Sequence, residues 1–262
     1  MPAALPVIAS LPNLRDVGGL ATADGRMVQT GVLYRSGTLD SLSDAELADL
    51  AGLGLRAIYD LRSDHERETR PDRLPAGVRH VGLDMVADVA QLTPGLIMAA
   101  LADPKAAREL LGDGRGAAMF LDHYREFVTL PSASRALGRL FGDLLDEGNR
   151  PALVHCMGGK DRTGWTAASL QLLLGVPEPD VMADFLLSND RLGPAFQVWL
   201  DDFVSIGGDP DIVRDTMWTR PEFLQASLSE MHARYGSIER YFGRGLGLGE
   251  DGVTGLRRIF LG

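Results

Sequence analysis

Cysteine is almost absent from this chain of 262 residues, which contains Cys156 and no other. A single cysteine excludes an intramolecular disulfide and a metal site built from several thiolates, so this residue is either a buried filler or a chemical reagent. The five histidines show no HExxH motif or other ligand spacing. The sequence therefore predicts no metal site, and it indicates no cofactor.

Basic residues and long apolar runs are also scarce. The chain has 26 Lys and Arg against 36 Asp and Glu, a net charge of −10, which argues against a surface that binds nucleic acid or anionic lipid broadly. Residues 1–11 lack the basic flank of a secretory signal, and no apolar stretch is long enough to span a membrane. We expect a cytoplasmic protein with no nucleic-acid partner and no stable membrane insertion; nothing indicates a particular oligomeric state.

Short β-like segments alternate with helix signals in a chain that is 45% apolar and 24% charged. Strands are predicted at residues 31–35, 55–60, 78–83 and 151–155, and a Ser43-x-x-Glu46 capping box begins a helix after the first of them. This alternation predicts an α/β fold with a central, mainly parallel sheet flanked by helices. We expect residues 1–262 to form a single domain.

Helical patterns dominate the second half of the chain. The apolar stripe after Pro131, at positions 137, 140, 141, 144 and 145, predicts a helix that packs on the core. Further helices are predicted at 163–174, 180–187, 194–204, 211–217 and 221–235, followed by a flexible glycine-rich connector at 243–249. The weaker patterns in residues 86–129 are interpreted as an insertion between strands.

The most informative segment lies between the predicted strand 151–155 and the helix that follows it. It reads His155-Cys156-Met157-Gly158-Gly159-Lys160-Asp161-Arg162-Thr163-Gly164. Five residues between Cys156 and Arg162 can turn their backbone N–H groups towards one point, and two glycines permit the unusual φ values this requires. The helix N-terminus adds positive potential there, and Arg162 can donate to two oxygens of an oxyanion. We predict a phosphate-binding loop formed by Met157, Gly158, Gly159 and Lys160.

The same positive potential favours the thiolate of Cys156, which makes this residue a nucleophile. Attack in line on phosphorus would give a thiophosphoryl intermediate whose charge is held by Arg162 and the loop amides. The Thr163 hydroxyl is placed to donate to the departing thiolate when water releases phosphate.

The pattern H-C-x5-R-[ST] resembles the signature of the protein tyrosine phosphatase superfamily, and the form H-C-x-x-G-K-D-R-T-G looks like its bacterial tyrosine/lipid phosphatase branch. Segments 13–19 (NLRDVGG), 34–37 (YRSG), 60–66 (DLRS with Glu66) and 183–189 (ADFLLSN) resemble that branch's accessory motifs, in the same order. The resemblance implies a phosphatase for phosphotyrosine, and also for phosphoserine, phosphothreonine or phosphoinositides. It implies that His155 orders the thiolate site and that Lys160 broadens specificity, although Lys160 could instead be solvated.

The general acid is less clearly marked, because no Trp-Pro-Asp motif occurs. Asp161, inside the loop, is the first candidate, and Asp84, after the strand 78–83, is the second. Each residue also has a structural interpretation: Asp161 could form a structural salt bridge, and Asp84 could stabilise a turn.

Other charged residues admit structural interpretations. Asn13, Arg15 and Asp16 are favoured as a structural clasp, while Asp60, Arg62 and Glu66 are interpreted as a network that fixes the sheet. Spacing does not show which of the arginines at 15, 35 and 62 approaches the phosphate. Residues 191–235 carry the apolar side chains Trp199, Phe203 and Trp218, which we expect to be exposed. The resemblance suggests that this region is a lid, although ordinary core helices are the favoured interpretation, and residues 86–129 are the alternative lid.

Four other classes fit these residues less well. A phosphate- or phosphoinositide-binding module without turnover would need a broken site, whereas Cys156, Arg162 and Thr163 are all present. Rhodanese-like sulfurtransferases typically have a shorter loop between Cys and Arg. A Walker-type loop is excluded because Asp161 follows Lys160, and arsenate reduction is disfavoured because no second cysteine can resolve an intermediate.

Overall fold

The computed structural model describes residues 5–89, 97 and 99–262. Its strands are β1 (Arg15–Asp16), β2 (Leu33–Ser36), β3 (Ala57–Asp60), β4 (Arg79–Gly82) and β5 (Ala152–His155). They form one sheet in the order β1-β2-β5-β3-β4, in which β1 is antiparallel to β2 and the other neighbours are parallel. The predicted α/β fold with a mainly parallel sheet is confirmed.

β5 lies at the centre of the sheet. Ser36 of β2 and Asp60 of β3 both pair with His155 of β5, so the three strands end level with one another. The chain that leaves β5 therefore emerges in the middle of the carboxyl edge, flanked by the ends of two parallel strands. This edge is where α/β proteins of this kind bind ligands.

Eleven helices are defined within the described residues. They are α1 (Asp44–Ala51), α2 (Asp64–Thr69), α3 (Pro104–Leu111), α4 (Arg115–Thr129), α5 (Pro131–Asp143), α6 (Arg162–Leu173), α7 (Glu178–Ser205), α8 (Pro210–Met217), α9 (Pro221–Tyr235), the single turn α10 (Ile238–Arg240) and α11 (Gly249–Leu261). A 3₁₀ turn (Glu147–Asn149) and a π-helical turn (Tyr241–Gly245) complete them. Capping boxes begin α1 and α2, and Pro131 begins α5. None of the helices in this part of the chain is long and apolar enough to cross a membrane.

The segment interpreted as an insertion contributes to the main core. Phe120, Tyr124, Phe127 and Val128 of α4 are buried in the same cluster as Trp165 of α6 and the side chains of the sheet. Residues 90–96 and 98 of that segment lie outside the described residues. α4 thus packs as an integral helix of the fold.

Two predictions about the second half were wrong. The helices predicted at 180–187 and 194–204 form one continuous helix, α7, because buried Leu192 and Phe196 on either side of Pro194 keep its turns packed although proline removes one hydrogen bond. The predicted flexible connector is ordered: a Cβ at Gly245 would lie 2.8 Å from the Tyr235 ring. Close packing thus requires glycine at 245, whereas Gly247 and Gly249 adopt a positive φ and have no atom within 4 Å of an added Cβ.

Candidate active site

The loop that carries Cys156 leaves the centre of the sheet. Cys156 follows β5 directly, and α6 begins at Arg162. The thiol-bearing residue is buried, with 2% of its surface exposed. The strand-loop-helix placement expected from the sequence is the one observed, and the positive end of α6 therefore lies against the loop.

The carbonyl oxygens of residues 157–159 point away from the centre of the loop. The Thr38 N–H donates to the first of them (2.9 Å), Asn13 Nδ2 donates to the second and third (3.1 and 3.0 Å), and Arg35 Nη2 also donates to the third (2.9 Å). Among the described residues, the N–H groups of 157–160 find no acceptor. Consecutive free N–H groups of this kind bind anions.

Gly159 is the most constrained position in the loop. Its φ is +67°, and a Cβ there would lie 2.2 Å from the Ser36 carbonyl oxygen. At Gly158, in contrast, the nearest atom to a Cβ would be Lys160 Cγ, at 3.7 Å. The two glycines of the motif therefore have different roles, and the loop needs glycine at 159.

A buried network of ion pairs and hydrogen bonds positions the side chains that donate to the carbonyl oxygens of the loop. Asp184 Oδ1 accepts from Arg15 Nε at 2.9 Å, and its Oδ2 accepts from Arg35 Nη1 at 3.0 Å. Arg15 also donates to Asn13 and to Ser188 Oγ. Burial, and then repulsion from Arg35, lowers the pKa of Arg15 to about 9. These contacts agree with a structural clasp and join three of the accessory segments beneath the loop.

Arg162 is buried and oriented by Glu66. Its Nη1 and Nη2 donate to Glu66 Oε2 and Oε1 at 2.7 and 2.8 Å. Burial alone would lower the pKa of Arg162, but the hydrogen bonds and charge of Glu66 raise it. The interpretation of Glu66 as part of the Asp60 and Arg62 network missed this contact. The capping box with Ser63, which fixes Glu66 at the start of α2, was the signal available in the sequence.

Lys160 and Asp161 contact each other and two helices. Lys160 Nζ donates to Asp161 Oδ1 (3.1 Å), lies 3.5 Å from the Thr216 carbonyl oxygen of α8, and lies 5.0 Å from the centre of the Phe120 ring. The Tyr124 hydroxyl donates to the same Asp161 Oδ1 at 2.9 Å. Lys160 is buried, so the alternative of a solvated lysine is wrong in this conformation.

Asp84 lies at the same edge of the sheet, just after β4. Its Oδ2 accepts from the Asp64 N–H at 3.2 Å, and its Oδ1 accepts from the Val86 N–H at 3.0 Å. β3 separates β4 from β5, which places Asp84 about two strand spacings, roughly 10 Å, from the strand that precedes Cys156. Its backbone contacts favour a role in the turn.

His155 and Thr163 flank the loop. His155 Nδ1 lies 3.3 Å from the Cys156 carbonyl oxygen, and Nε2 lies 3.2 Å from Asp72 Oδ2 without an aligned hydrogen bond. The buried Thr163 Oγ1 has no hydrogen-bond partner among the residues described. Its hydroxyl is therefore free to donate to a sulfur or phosphoryl oxygen next to it.

Comparison with known proteins agrees with this geometry. The model of the tyrosine phosphatase family matches residues 6–262. Triple specificity protein phosphatase PtpB of Mycobacterium tuberculosis is 32% identical over 283 residues, covering 95% of this chain and 96% of its own. The chain belongs to the tyrosine phosphatase family. It is a phosphoric monoester hydrolase that acts on phosphorylated substrates, and the predicted family and enzyme class are confirmed.

Two further matches extend the comparison. A Cupriavidus necator protein classed as a tyrosine-protein phosphatase is 32% identical over 233 residues, which cover 88% of this phosphatase and 80% of the relative. The core catalytic domain of the PP-IP phosphatase SIW14 from S. cerevisiae aligns with 77% of this chain and 91% of its own, at 13% identity. Its TM-score of 0.30 is too low to support a conclusion.

Four potential metal ligands gather beside the phosphatase loop. Atoms of Asp60, Asp72, His80 and His155 lie within 4.8 Å of one another. Arg62 Nη2, however, donates to both carboxylates, at 2.7 and 2.6 Å. Contacts with Asp60 and then Asp72 raise the pKa of His80 to about 9, so its ring is cationic at neutral pH. A guanidinium and an imidazolium thus balance two carboxylates, and the cluster forms an ion-pair network.

This network predicts a pH-dependent stability. Because the pKa of His80 is raised from its ordinary value of about 6.5 to about 9, its stabilising contribution is complete below pH 6.5 and is lost as the pH rises through 9. His80→Gln should therefore lower the free energy of unfolding by about 1 kcal/mol at pH 6, a figure discounted for solvent screening of the partly exposed ring, and by much less at pH 10. Urea unfolding at both pH values measures this; an equal loss at both would contradict it.

The two loop glycines provide a second prediction with a matched control. Gly159→Ala must adopt a positive φ and displace the Ser36 carbonyl, so we expect a loss of about 2 to 4 kcal/mol in the free energy of unfolding, with lower phosphatase activity. Gly158→Ala, which meets no close atom, should change both much less. Thermal unfolding and aryl phosphate hydrolysis of the pair measure the effect. Equal behaviour of the two variants would show that the contact at 159 does not constrain the loop.

Proposed function

We propose that this phosphatase hydrolyses phosphotyrosine, and more slowly phosphoserine, phosphothreonine and phosphoinositides, through a covalent phosphoryl-cysteine. The observation that carries the proposal is the geometry of the loop. Cys156 lies at the base of the loop, and Asn13 and Arg35 donate to the outward-facing carbonyl oxygens of residues 158 and 159. The N–H groups of residues 157–160 are left to bind an anion. Arg162, fixed by Glu66, adds a cation at the start of α6.

The first step forms the intermediate. The Cys156 thiolate attacks phosphorus in line with the leaving oxygen, and the Sγ–P bond forms as the P–O bond breaks. Negative charge on the equatorial oxygens is stabilised by Arg162, the loop N–H groups and the N-terminus of α6. Asp161 Oδ2 gives its proton to the leaving oxygen in this proposal.

The second step releases phosphate. A water molecule attacks phosphorus, the Asp161 carboxylate accepts a proton from it, and the Sγ–P bond breaks to regenerate the thiolate. Thr163 supports this step because its buried hydroxyl, which has no partner in the described part of the chain, can donate to the departing sulfur. His155, in contact with the Cys156 carbonyl and with Asp72, would keep the base of the loop in place.

Burial of the nucleophile supports the preference for aryl esters. Because Cys156 is 2% exposed, a phosphoryl group carried on a long, rigid tyrosine reaches it more readily than one on a short serine side chain. Lys160 makes its contacts inside the protein, so it can bind a second phosphate of a phosphoinositide only after it leaves Asp161 and Thr216. We therefore expect slower turnover of phosphoinositides, even though a relative with triple specificity is 32% identical.

Residues 191–235 are proposed as the lid. Thr216 of α8 touches Lys160 of the loop, and Trp218 stacks edge-on against Phe196 of α7 at 5.2 Å between ring centres. Of the three apolar side chains expected to be exposed, Phe203 is buried, and Trp199 is 44% exposed. The contact with Lys160 means that any movement of α8 changes the surroundings of the loop.

The test combines a substrate panel with trapping of the intermediate. Steady-state rates should fall in the order of a phosphotyrosine peptide, a phosphoserine peptide and a phosphoinositide in vesicles. Rapid mixing with an aryl phosphate, denaturation and mass spectrometry should place one phosphoryl group on the peptide that contains Cys156. Turnover without a label on this peptide would reject the covalent mechanism, and a preference for phosphoserine would reject the proposed substrate class.

A further inference from the structure

The Tyr124 side chain of α4 is fixed by the core. It is fully buried, its ring lies edge-on to Phe185 (5.9 Å between centres), and it stacks against Phe223 (5.5 Å). Ser227 Oγ donates to the Tyr124 carbonyl oxygen at 2.5 Å, which anchors the backbone as well. The position of the hydroxyl is therefore set by helix packing, independently of the catalytic loop.

Within the described residues, the Tyr124 hydroxyl makes one hydrogen bond, which it donates to Asp161 Oδ1. A buried hydroxyl needs a partner, because leaving it unpaired costs free energy. Burial, and then the charge of Asp161, raises the pKa of Tyr124 well above 10. The hydroxyl is thus a donor at neutral pH.

Asp161 lies at a position where an aspartate side chain usually caps the helix that follows it. It is the N-cap of α6, yet its side chain makes no capping hydrogen bond, whereas an N-cap aspartate ordinarily accepts from the first N–H groups of its helix. Those N–H groups are the ones proposed to bind the phosphoryl group. A carboxylate that capped α6 would compete with the substrate for them.

We propose that Tyr124 is a positioning residue that holds Asp161 away from the N-terminus of α6 and leaves Oδ2 to carry the proton for the leaving oxygen. Lys160 donates to Oδ1 as well, so both donors engage one oxygen, and Oδ2 accepts from no donor in the described ranges. The inference rests on the proposed role of Asp161. Tyr124 itself exchanges no proton: the proton passes from Oδ2 to the leaving oxygen and returns from the attacking water.

Tyr124→Phe tests this inference with two substrates that differ in leaving group. Phenyl phosphate needs protonation of a poor leaving oxygen, whereas p-nitrophenyl phosphate needs little help. We expect kcat/KM, which reports formation of the intermediate, to fall on the order of tenfold for phenyl phosphate, with the basic limb of its pH profile weakened, and to change less than about threefold for p-nitrophenyl phosphate. Inorganic phosphate should also inhibit the variant less strongly, because Asp161 can then cap α6.

Tyr241→Phe is the matched control. Tyr241 is also fully buried, but its hydroxyl accepts from Trp165 Nε1 at 3.2 Å and is not linked to Asp161. Loss of this hydroxyl removes a buried hydrogen bond of similar kind, so it should leave the ratio of the two kcat/KM values unchanged. A merely structural role of Tyr124 would make the two variants behave alike, and that result would overturn the inference.

Asp161→Asn separates this inference from the proposed acid. If it lowers phenyl phosphate turnover selectively and Tyr124→Phe does not, Asp161 remains the acid and the role of Tyr124 is rejected. If neither variant acts selectively, both assignments fail, while the covalent mechanism still stands on the labelling of Cys156. If the role of Tyr124 is correct, the double variant should be no slower than Asp161→Asn alone.

Discussion

Cys156→Ser should lower kcat for p-nitrophenyl phosphate by roughly 10⁴-fold or more. Serine has nearly the same size, but its hydroxyl oxygen is a much weaker nucleophile towards phosphorus than the sulfur it replaces. Since Cys156 is the single cysteine of the chain, no other thiol can replace it. Steady-state hydrolysis, followed at high enzyme concentration, measures the loss.

The control for this variant is retained binding. The loop N–H groups, Arg162 and the helix N-terminus are untouched in Cys156→Ser, so inorganic phosphate should still protect it against thermal unfolding. Activity that survives at a substantial fraction of the wild-type value would show that another group is the nucleophile. Loss of activity together with loss of phosphate binding would show that the substitution had disturbed the loop.

Arg162→Lys should lower kcat/KM for the same substrate by about 10²- to 10³-fold. A lysine keeps the charge but cannot use both ends of Glu66 and also present donors to two phosphoryl oxygens. Because the interaction with the phosphoryl group strengthens as charge develops, we expect kcat to fall and KM to rise. Steady-state kinetics and the inhibition constant of phosphate measure these effects.

Two further variants serve as a comparison and a control for Arg162→Lys. Glu66→Gln keeps one acceptor for Arg162 and should lose less activity than Arg162→Lys, because the guanidinium remains. Arg257→Lys, far along the chain on α11, donates from a partly exposed site to the Leu173 carbonyl and should leave activity unchanged. If Arg162→Lys retained wild-type kcat/KM, the two-point contact of the guanidinium would have no role in catalysis.

Local patterns predicted much of the architecture. The capping box at Ser43, the proline at 131 and the apolar stripe behind it gave α1 and α5 near their observed bounds, because these signals act within one or two turns of helix. The same kind of local pattern gave a wrong prediction for the glycine-rich residues 243–249. Gly245 is needed because the Tyr235 ring lies against it, and that contact has no signature in the local sequence.

The proposed chemistry of the loop could be predicted from sequence alone, since it depends on spacing. Five residues between Cys156 and Arg162, placed between a strand and a helix, determine a phosphate-binding geometry through backbone dihedral angles and the helix dipole. The conformational need for Gly159 belongs to the same class of information, although the sequence does not show that Gly158 is less constrained.

The tertiary structure decided which side chains serve that loop. The arginines at 15 and 35 pair with Asp184, Arg62 pairs with Asp60 and Asp72, and Glu66 pairs with Arg162. Of these pairings, the sequence indicated only the network that contains Asp60 and Arg62. Tyr124 reaches Asp161 across 37 positions of sequence because α4 packs against the end of the loop. Such contacts depend on strand order and helix packing, which arise from the burial of the whole core. The sequence by itself therefore determined the strand-loop-helix segment and predicted its nucleophile, whereas the folded chain determined the partners that orient the loop.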